Sequence, residues 1–320
     1  MKSNLYVFLS FLLVLACGQA QEKQAIQQNM TTRELCVTID DLPVVGYSKT
    51  DIQHLSMITD SLISTCLTYD IPAIGYVNEN KLYQGDQFDS TRLELLERWL
   101  KHGLELGNHT FSHKNYHQVP FEEYTQDILA GEKATRKLVE QYESKLRYFR
   151  HPYLRIGKTK THHDSLVQFL TKHHYIESPV TIDNADYLFA LAYHKAYIKN
   201  HQADMDKIGK DYVAYMEQKL LFYESMSQKL FNRNMKHTLL IHANLLNAKY
   251  LDNLAEMYQQ HGYTFVSQTA VLTDAAYQSE ISNYGNWGIS WLDRWALSKG
   301  KKGDFFKGDP VTPDYIQNYN

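Results

Sequence analysis

The sequence predicts an α/β fold, a distorted (β/α) barrel of about seven units with a helical insertion. From residue 35 onward, short apolar runs alternate with longer amphipathic segments, the pattern of parallel strands joined by crossover helices. The number of repeats favours a barrel, complete or incomplete, over an open doubly wound sheet, which is the alternative. Glycine-rich phosphate loops do not follow the predicted strands, which argues against nucleotide binding.

The predicted elements follow this alternation along the chain. Strands are expected where short apolar runs occur, at 35–39, 72–77, 104–106, 148–149, 175–182, 237–241 and 263–266. Helices are expected where apolar residues recur at helical spacing, at 51–69, 91–101, 121–142, 162–172 and 249–260. The helical patterning between Asp183 and His237 contains no strand, so residues 184–236 are predicted to be an insertion over one rim of the barrel. It either caps a binding groove or buttresses the fold.

Composition and charge narrow the class of function. The chain has 320 residues, 43% of them hydrophobic, so it can bury a sizeable core. Its formal net charge of −3 provides no basic surface, and nucleic acid is therefore not an expected partner. The 24 tyrosines can line a carbohydrate groove or fill the amphipathic boundary of the surface.

The first 20 residues are expected to be a cleavable export signal. Lys2 precedes an apolar run over 5–16 that is too short to span a membrane comfortably, and small residues follow. Cleavage after Ala20 would release a soluble protein. Alternatively, residues 14–17 resemble a bacterial lipobox, and Cys17 would become a lipidated N-terminus and the one membrane attachment. Either way the protein is expected in the bacterial periplasm or cell envelope.

Three further segments complete the predicted organisation. Residues 21–33 are polar and glutamine-rich and are expected to be a linker, and residues 34–275 form the barrel with its insertion. Residues 276–320 are a C-terminal extension. There, Trp287, Trp291 and Trp295 are spaced by four and are expected on one helix face, as core residues or as a sugar platform.

The two cysteines that follow the export signal are expected to be buried free thiols without a catalytic role. Cys36 lies in an apolar strand and Cys66 in a predicted helix, although an exported chain could pair them.

Candidate functional residues lie where predicted strands end, and in an α/β barrel these ends converge on one face. Asp40 and Asp41 end the first strand. One carboxylate of such a pair can hold a cation while its neighbour acts on the bound water. The structural alternative is a loop start with a helix N-cap.

A pair of histidines follows the strand at 104–106. His109 and His113 are four residues apart, so one helical turn could present both imidazoles to one metal ion. With 15 histidines in the chain, a pair at this spacing also arises by chance, as His113 and His117 do. The position of His109 directly after a strand distinguishes the first pair.

Three more segments end strands in the same way. Arg150 precedes His151, Pro152 and Tyr153; the arginine could orient a carboxylate, and a backbone N–H near Tyr153 could face a developing oxyanion. Asp183 and Asp186 follow an extended run. His242 ends an apolar strand, where a histidine is either a core residue or a catalytic acid.

In order and spacing, these segments resemble the motifs of the polysaccharide deacetylase family, also called the NodB-homology domain or carbohydrate esterase family 4. The resemblance covers residues from about 34 to 270. It is carried by Thr-Ile-Asp-Asp at 38–41, His-Thr-Phe-Ser-His at 109–113, Arg-His-Pro-Tyr at 150–153 and Leu-Ile-His at 240–242.

The resemblance implies a divalent metal ion bound by Asp41, His109 and His113. A carboxylate with two imidazoles suits zinc, with cobalt, nickel or manganese as alternatives. It also implies that Asp40 is the general base and that Arg150 holds its charge.

The resemblance implies roles for the remaining motif residues as well. The backbone N–H of Tyr153 would stabilise the oxyanion, His242 would protonate the leaving group, and Asp183 would orient His242 or Arg150. Asp186 is the alternative to Asp183. Asp183 is preferred because Tyr187 then stands where the family usually has tryptophan.

The expected function is therefore metal-dependent removal of acetyl groups from a glycan that contains N-acetylglucosamine, such as peptidoglycan or chitin oligomers. O-deacetylation of a xylan-type polysaccharide is an alternative with the same machinery. A catalytically silent carbohydrate-binding protein and a metal-dependent amidase or peptidase are alternatives of other classes.

Overall fold

The computed structural model describes residues 33–319, and the expected export signal, Cys17 and most of the linker lie outside this range. Its centre is a parallel seven-stranded sheet of order β7-β6-β5-β2-β1-β8, with β9 also paired to β1. A short antiparallel hairpin, β3–β4, lies outside this sheet. The strands are β1 Arg33–Leu42, β2 Ile74–Val77, β3 Tyr83–Gln84, β4 Gln87–Phe88, β5 Glu105–Asn108, β6 Tyr148–Phe149, β7 Ile176–Glu177, β8 His237–His242 and β9 Tyr263–Phe265.

The sheet is curled, and the segment after β7 brings its two edges together. Ile182 forms a parallel bridge with Leu239 of β8, at the opposite end of the strand order from β7. The N–H of Ile182 donates to the Thr238 carbonyl over 3.0 Å, and the N–H of Leu240 donates to the Ile182 carbonyl over 3.3 Å. The predicted distorted (β/α) barrel is confirmed.

Helices surround the sheet, and side chains cap several of their N-termini. Asp51, Asp89, Thr159, Asn244 and Ser290 each accept a hydrogen bond from a backbone N–H of the first turn, which satisfies donors that would otherwise lack partners. The helices are α1 Ile52–Thr68, α2 Ser90–Lys101, α3 Phe121–Ala130, α4 Lys133–Gln141, α5 Lys160–Lys172, α6 Asp186–Ile198, α7 Gln202–Phe231, α8 Leu245–Gln260, α9 Gln268–Val271, α10 Trp291–Ser298 and α11 Asp314–Gln317. Within residues 33–319, none of the helices is both long and apolar enough to cross a membrane.

The single helix predicted over 121–142 is wrong, because the chain breaks into α3 and α4 at Gly131. A Cβ atom on Gly131 would lie 2.3 Å from the carbonyl carbon of Thr110, so this position packs directly on the loop after β5. The buried carboxylate of Glu79 then accepts hydrogen bonds from the N–H groups of Ala134 and Thr135 at the start of α4. Tertiary contacts therefore interrupt a sequence that has helical periodicity throughout.

Within the predicted insertion, the chain forms the two helices α6 and α7 before β8 begins. The 30-residue α7 packs against α6 and α8. The approach to α8 is close, since a Cβ on Gly209 would lie 1.9 Å from Cζ of Tyr250. Nearby, the Tyr212 hydroxyl donates to Asn247 over 2.6 Å. Helix α7 therefore buttresses the barrel.

The boundaries at both ends of the described chain differ slightly from the predicted ones. Arg33, assigned to the linker, is the first residue of β1. In the C-terminal extension, Trp291 and Trp295 lie in α10 and are buried in the core. Trp287 precedes the helix, so the predicted single face of three tryptophans is wrong. Cys36 and Cys66 are buried and free, as predicted.

Substitution of Gly131 tests whether close packing breaks the helix. We expect Gly131→Ala to lower the free energy of unfolding by about 1–3 kcal/mol, because the added methyl group overlaps the Thr110 backbone. Urea denaturation measures the change. Gly85→Ala is the control for backbone strain alone, because Gly85 has a φ of +60° and open space around it. Wild-type stability in Gly131→Ala would contradict this account.

Candidate active site

The strand ends converge on a cavity of about 610 Å³. Sequence-predicted site residues from five different loops line it, namely Asp40, Asp41, His109, His113, Tyr153, Asp183 and His242. Asp40 and His242 are register partners on β1 and β8, so the parallel ladder itself places them side by side. Arg150 lies beneath this surface and is fully buried.

The two aspartates reach the same cavity because β1 is irregular at this point, where its pairing with β2 shifts register between Ile39 and Leu42. Successive side chains of a regular strand point to opposite faces. Asp41 has a φ of +70°, in the left-handed region, which interrupts this alternation. Both carboxylates therefore line the cavity.

Asp41, His109 and His113 form a candidate metal centre. Oδ1 of Asp41 lies 3.8 Å from Nε2 of His109 and 3.7 Å from Nε2 of His113. All three ligand atoms lie within 4.8 Å of one another. The histidines are presented by a tight loop in which Thr110 and His113 have positive φ, and not by the helical turn that the sequence suggested.

The chemistry of this donor set fits a divalent cation. Oδ1 of Asp41 is buried and has no hydrogen-bond partner among residues 33–319, an arrangement that costs free energy unless a cation or donor fills the site. Nδ1 of His109 donates to the Arg150 carbonyl over 2.8 Å, which leaves the Nε2 lone pair facing Asp41. Burial lowers the pKa of His109 and of His113, which favours the neutral imidazoles that bind metals.

Asp40, the predicted general base, is a buried carboxylate paired with Arg150. It is 2% exposed, and Nη1 of Arg150 lies 3.3 Å from both of its carboxylate oxygens. The guanidinium is itself held by the Ser178 carbonyl and the Thr38 hydroxyl. Burial raises the pKa of Asp40 to about 6 despite the opposing charge of Arg150. Its carboxylate can therefore accept a proton near neutral pH.

His242, the predicted general acid, is paired with Asp186. Nδ1 of the His242 ring lies 2.7 Å from Oδ1 of Asp186. The backbone N–H of His242 donates to Oδ2 of Asp186 over 2.8 Å. Asn247 also donates to Asp186. Burial lowers the pKa of His242, but the charge and hydrogen bond of Asp186 outweigh burial and raise this pKa to about 9.

The structure corrects the preference for Asp183 as the residue that orients His242 or Arg150. Asp186 makes that contact, while Oδ1 of Asp183 accepts from the N–H of Asn184. Asp183 lines the cavity, and burial raises its pKa to about 6. Pairing of Ile182 with Leu239 turns the next residues over β8, so that Asp186, at the start of α6, reaches His242.

Three tyrosines surround the opening of the cavity. Tyr153 is 55% exposed, has a φ of +57°, and its ring centroid lies 4.5 Å from that of His113. Tyr187 is 52% exposed, and its ring lies roughly perpendicular to that of His242, with the centroids 6.5 Å apart. The Tyr47 hydroxyl donates to the Tyr187 carbonyl, which links the loop after β1 to α6. Helix α6 thus borders the site, as the cap interpretation of the insertion requires.

The sequence reasoning missed Lys81. Its ammonium group donates to the Asp41 carbonyl over 2.7 Å and lies 3.6 Å from Oδ2 of Asp41. This leaves Oδ1 as the oxygen that faces the histidines. The sequence could have indicated Lys81, because it belongs to the polar run 78–81 directly after β2. Residues that follow a strand of the barrel are expected near the site.

Asp127 was also missed. It accepts hydrogen bonds from the N–H and the hydroxyl of Ser112 and so holds the loop between the two metal-site histidines. It lies within the helical pattern of α3, and helical spacing alone does not indicate such a role.

Comparison with known proteins adds a family match. The family model described as polysaccharide deacetylase matches residues 27–168, which contain Asp40, Asp41, His109, His113 and Arg150. Curated protein sequences gave no match.

Solved structures with similar architecture have low sequence identity. The polysaccharide deacetylase Bc1974 from Bacillus cereus is 15% identical, with 73% of this chain and 91% of that chain covered and a TM-score of 0.49. The peptidoglycan deacetylase PdaC from Bacillus subtilis is 16% identical, with 76% and 91% covered and a TM-score of 0.46. A mutant of BA3943, a CE4 family pseudoenzyme from Bacillus anthracis, with restored enzymatic activity, is 15% identical, with 76% and 68% covered and a TM-score of 0.49.

The polysaccharide deacetylase family model matches residues 27–168, somewhat less than half of the chain, and over that range it confirms the resemblance of the motifs.

Proposed function

We propose that the protein is a metal-dependent hydrolase that removes acetyl groups from an acetylated glycan. One observation carries the proposal. The Asp41–His109–His113 centre shares its cavity with a carboxylate held by Arg150 and with an imidazole held by Asp186. A base and an acid beside one cation site are the groups that hydrolysis of an amide or ester requires.

The protonation states support these two roles. With a pKa raised by burial to about 6, Asp40 is largely ionised at neutral pH. With a pKa of about 9, set by Asp186 against burial, His242 is largely protonated. Two neighbouring groups whose environments separate their pKa values in this way can serve as base and acid in one reaction.

The reaction uses these groups in sequence. A divalent cation at the centre, for which zinc is best suited, would activate water and polarise the acetyl carbonyl. Asp40 accepts a proton from the attacking water, while Arg150 keeps its carboxylate oriented. His242 donates its proton to the leaving nitrogen as the C–N bond breaks, and acetate and a free amine result. The Tyr153 N–H is proposed as the donor to the oxyanion.

The surroundings of the site support a sugar as substrate. Tyr47, Tyr153 and Tyr187 offer ring faces together with polar hydroxyls, a combination suited to the apolar and polar faces of a pyranose. The cavity volume of about 610 Å³ lies in the range of small-molecule sites. A glycan that contains N-acetylglucosamine is the proposed substrate, and an O-acetylated xylan is the alternative, since His242 can equally protonate an alkoxide.

The proposed place of action is the bacterial cell envelope. The apolar run over 5–16 with the small residues that follow supports export, and Cys17 would provide a lipid anchor if it is processed.

Asp40→Asn tests catalysis. We expect the acetate released from chitooligosaccharides, peptidoglycan or acetylxylan to fall about 100- to 10,000-fold, since the amide cannot accept the proton. The zinc content should stay unchanged. Asp60→Asn, which alters only an exposed pair with Arg98, is the control. Equal acetate release by wild type and Asp40→Asn would refute the assignment. Binding of glycans by the wild type without any acetate release would identify a carbohydrate-binding protein instead.

His113→Ala tests the metal centre. Loss of one of three ligands should weaken zinc binding about 100-fold or more, beyond the effect typical of residues that only support a ligand. Equilibrium dialysis with metal analysis measures the affinity. His102→Ala, at an exposed position after α2, should bind zinc as the wild type does. Unchanged zinc affinity in His113→Ala would remove this residue from the centre.

The pH dependence tests the acid and the base. Deacetylation should fall below about pH 6, where Asp40 becomes protonated, and above about pH 9, where His242 loses its proton. Asp186→Asn removes the charge that raises the pKa of His242, so the alkaline limb should move to lower pH. In Asp183→Asn that limb should stay in place. The reverse pattern would return the orienting role to Asp183.

A further inference from the structure

Arg155 lines the cavity without a carboxylate partner. Seven of the nine arginines in residues 33–319 have a carboxylate oxygen within 4.0 Å. Arg155 and Arg294 are the two exceptions in this part of the chain. Arg294 is fully buried, and its guanidinium donates to the Leu154 carbonyl, so it supports the loop. Arg155 is different because it is only half-buried and is one of the residues that line the cavity.

The C-terminal extension holds Arg155 in place. Nη1 of Arg155 donates to Oδ1 of Asn286 over 3.1 Å. A Cβ on Gly288 would lie 1.8 Å from the Tyr153 carbonyl oxygen and 3.4 Å from Cγ of Arg155, so the extension packs closely on this loop. Nε of Arg155 is buried and lacks a hydrogen-bond partner within residues 33–319. Asn286 thus orients the guanidinium, but not all of its N–H donors have a hydrogen-bond acceptor.

A planar guanidinium with free donors matches a carboxylate in charge and geometry. The carboxylates that line the cavity, Asp40, Asp41 and Asp183, do not lie within ion-pair distance of Arg155. An anionic group on a bound molecule would therefore supply the missing partner. The position of this anionic group follows from the position of Arg155, which is two residues beyond Tyr153 in the same loop. The Tyr153 ring contacts His113 of the candidate metal centre.

We infer that Arg155 binds a carboxylate of the substrate, which makes the substrate an acidic acetylated saccharide. The carboxylate lies on the Tyr153 side of the metal centre, on the acetylated sugar or on its neighbour. The inference rests on the proposed function for the acetyl chemistry alone, since recognition of the anion by Arg155 can be measured separately.

The test compares matched saccharides. One probe is a disaccharide of N-acetylglucosamine and N-acetylmuramic acid, paired with its methyl ester. A second is a disaccharide of glucuronic acid and N-acetylglucosamine, also paired with its methyl ester. We expect the wild type to have about 10- to 100-fold higher kcat/KM for at least one acid than for its ester, mainly through KM. The preferred acid identifies the source of the carboxylate.

Variants of Arg155 test whether this residue causes the preference for the acid over its methyl ester. In Arg155→Gln the acid-to-ester ratio should fall to about 1, because the charge and fork are lost. Arg155→Lys should give an intermediate ratio, since a point charge remains without the planar fork. Arg147→Gln, which alters an exposed pair with Glu105, is the control and should keep the wild-type ratio. Zinc content and melting temperature are compared for all variants.

Two outcomes would overturn the inference: equal kcat/KM for acid and ester in the wild type with both probes, or a preference that persists in Arg155→Gln. Absence of acetate release from every probe, and also from chitooligosaccharides, peptidoglycan and acetylxylan, would instead refute the proposed function. In that case, calorimetric binding of each acid and ester to the wild type and Arg155→Gln decides the inference on its own. Tighter binding of an acid that is lost in Arg155→Gln supports it, and equal binding refutes it.

Discussion

The buried contacts of Arg150 are the constraint on which the rest of the site depends. Its guanidinium holds Asp40, and its carbonyl accepts the Nδ1 proton of His109. One residue thereby orients the proposed base and leaves Nε2 of His109 free for the proposed metal ion. Because Arg150 is fully buried, removing its partner would leave an uncompensated charge in the interior, which typically costs about 3–5 kcal/mol. The arrangement is therefore both structural and functional.

Around this pair, the barrel brings together residues that are far apart in the chain. The parallel ladder between β1 and β8 sets Asp40 beside His242, although about two hundred positions separate them. The loop with His109 and His113 is hydrogen-bonded to Asp127 and packs against Gly131. Lys81 donates a hydrogen bond to the Asp41 carbonyl. The helical insertion and the C-terminal extension then border the opening of the cavity, with Tyr187 on α6 and Gly288 against Tyr153. Elements added to the barrel thus shape what the site can receive.

Sequence patterns predicted the secondary structure where it depends on the hydrophobic periodicity of a single segment. Alternating apolar runs located each strand of the curled sheet and nearly all the long helices, because burial imposes a period of two or 3.6 on the sequence. They were misleading at Gly131, where a packing contact breaks a helix whose periodicity continues. The sequence patterns also did not indicate whether Asp183 or Asp186 contacts His242. Both follow the same strand, and the direction of each side chain depends on the Ile182 bridge to β8.

The sequence by itself determined the α/β alternation, the strand-end motifs and the match of residues 27–168 to the polysaccharide deacetylase family model, because strand-end positions and residue chemistry are local properties. Only the tertiary structure decided which oxygen of Asp41 is unpaired, that Asp186 contacts His242, and that Arg155 lines the cavity without a carboxylate partner. Each of these depends on distances between segments that are remote in sequence. Such distances are set by how the sheet curls and by where Asn286 and Gly288 pack, and neither leaves a periodic signal in the chain.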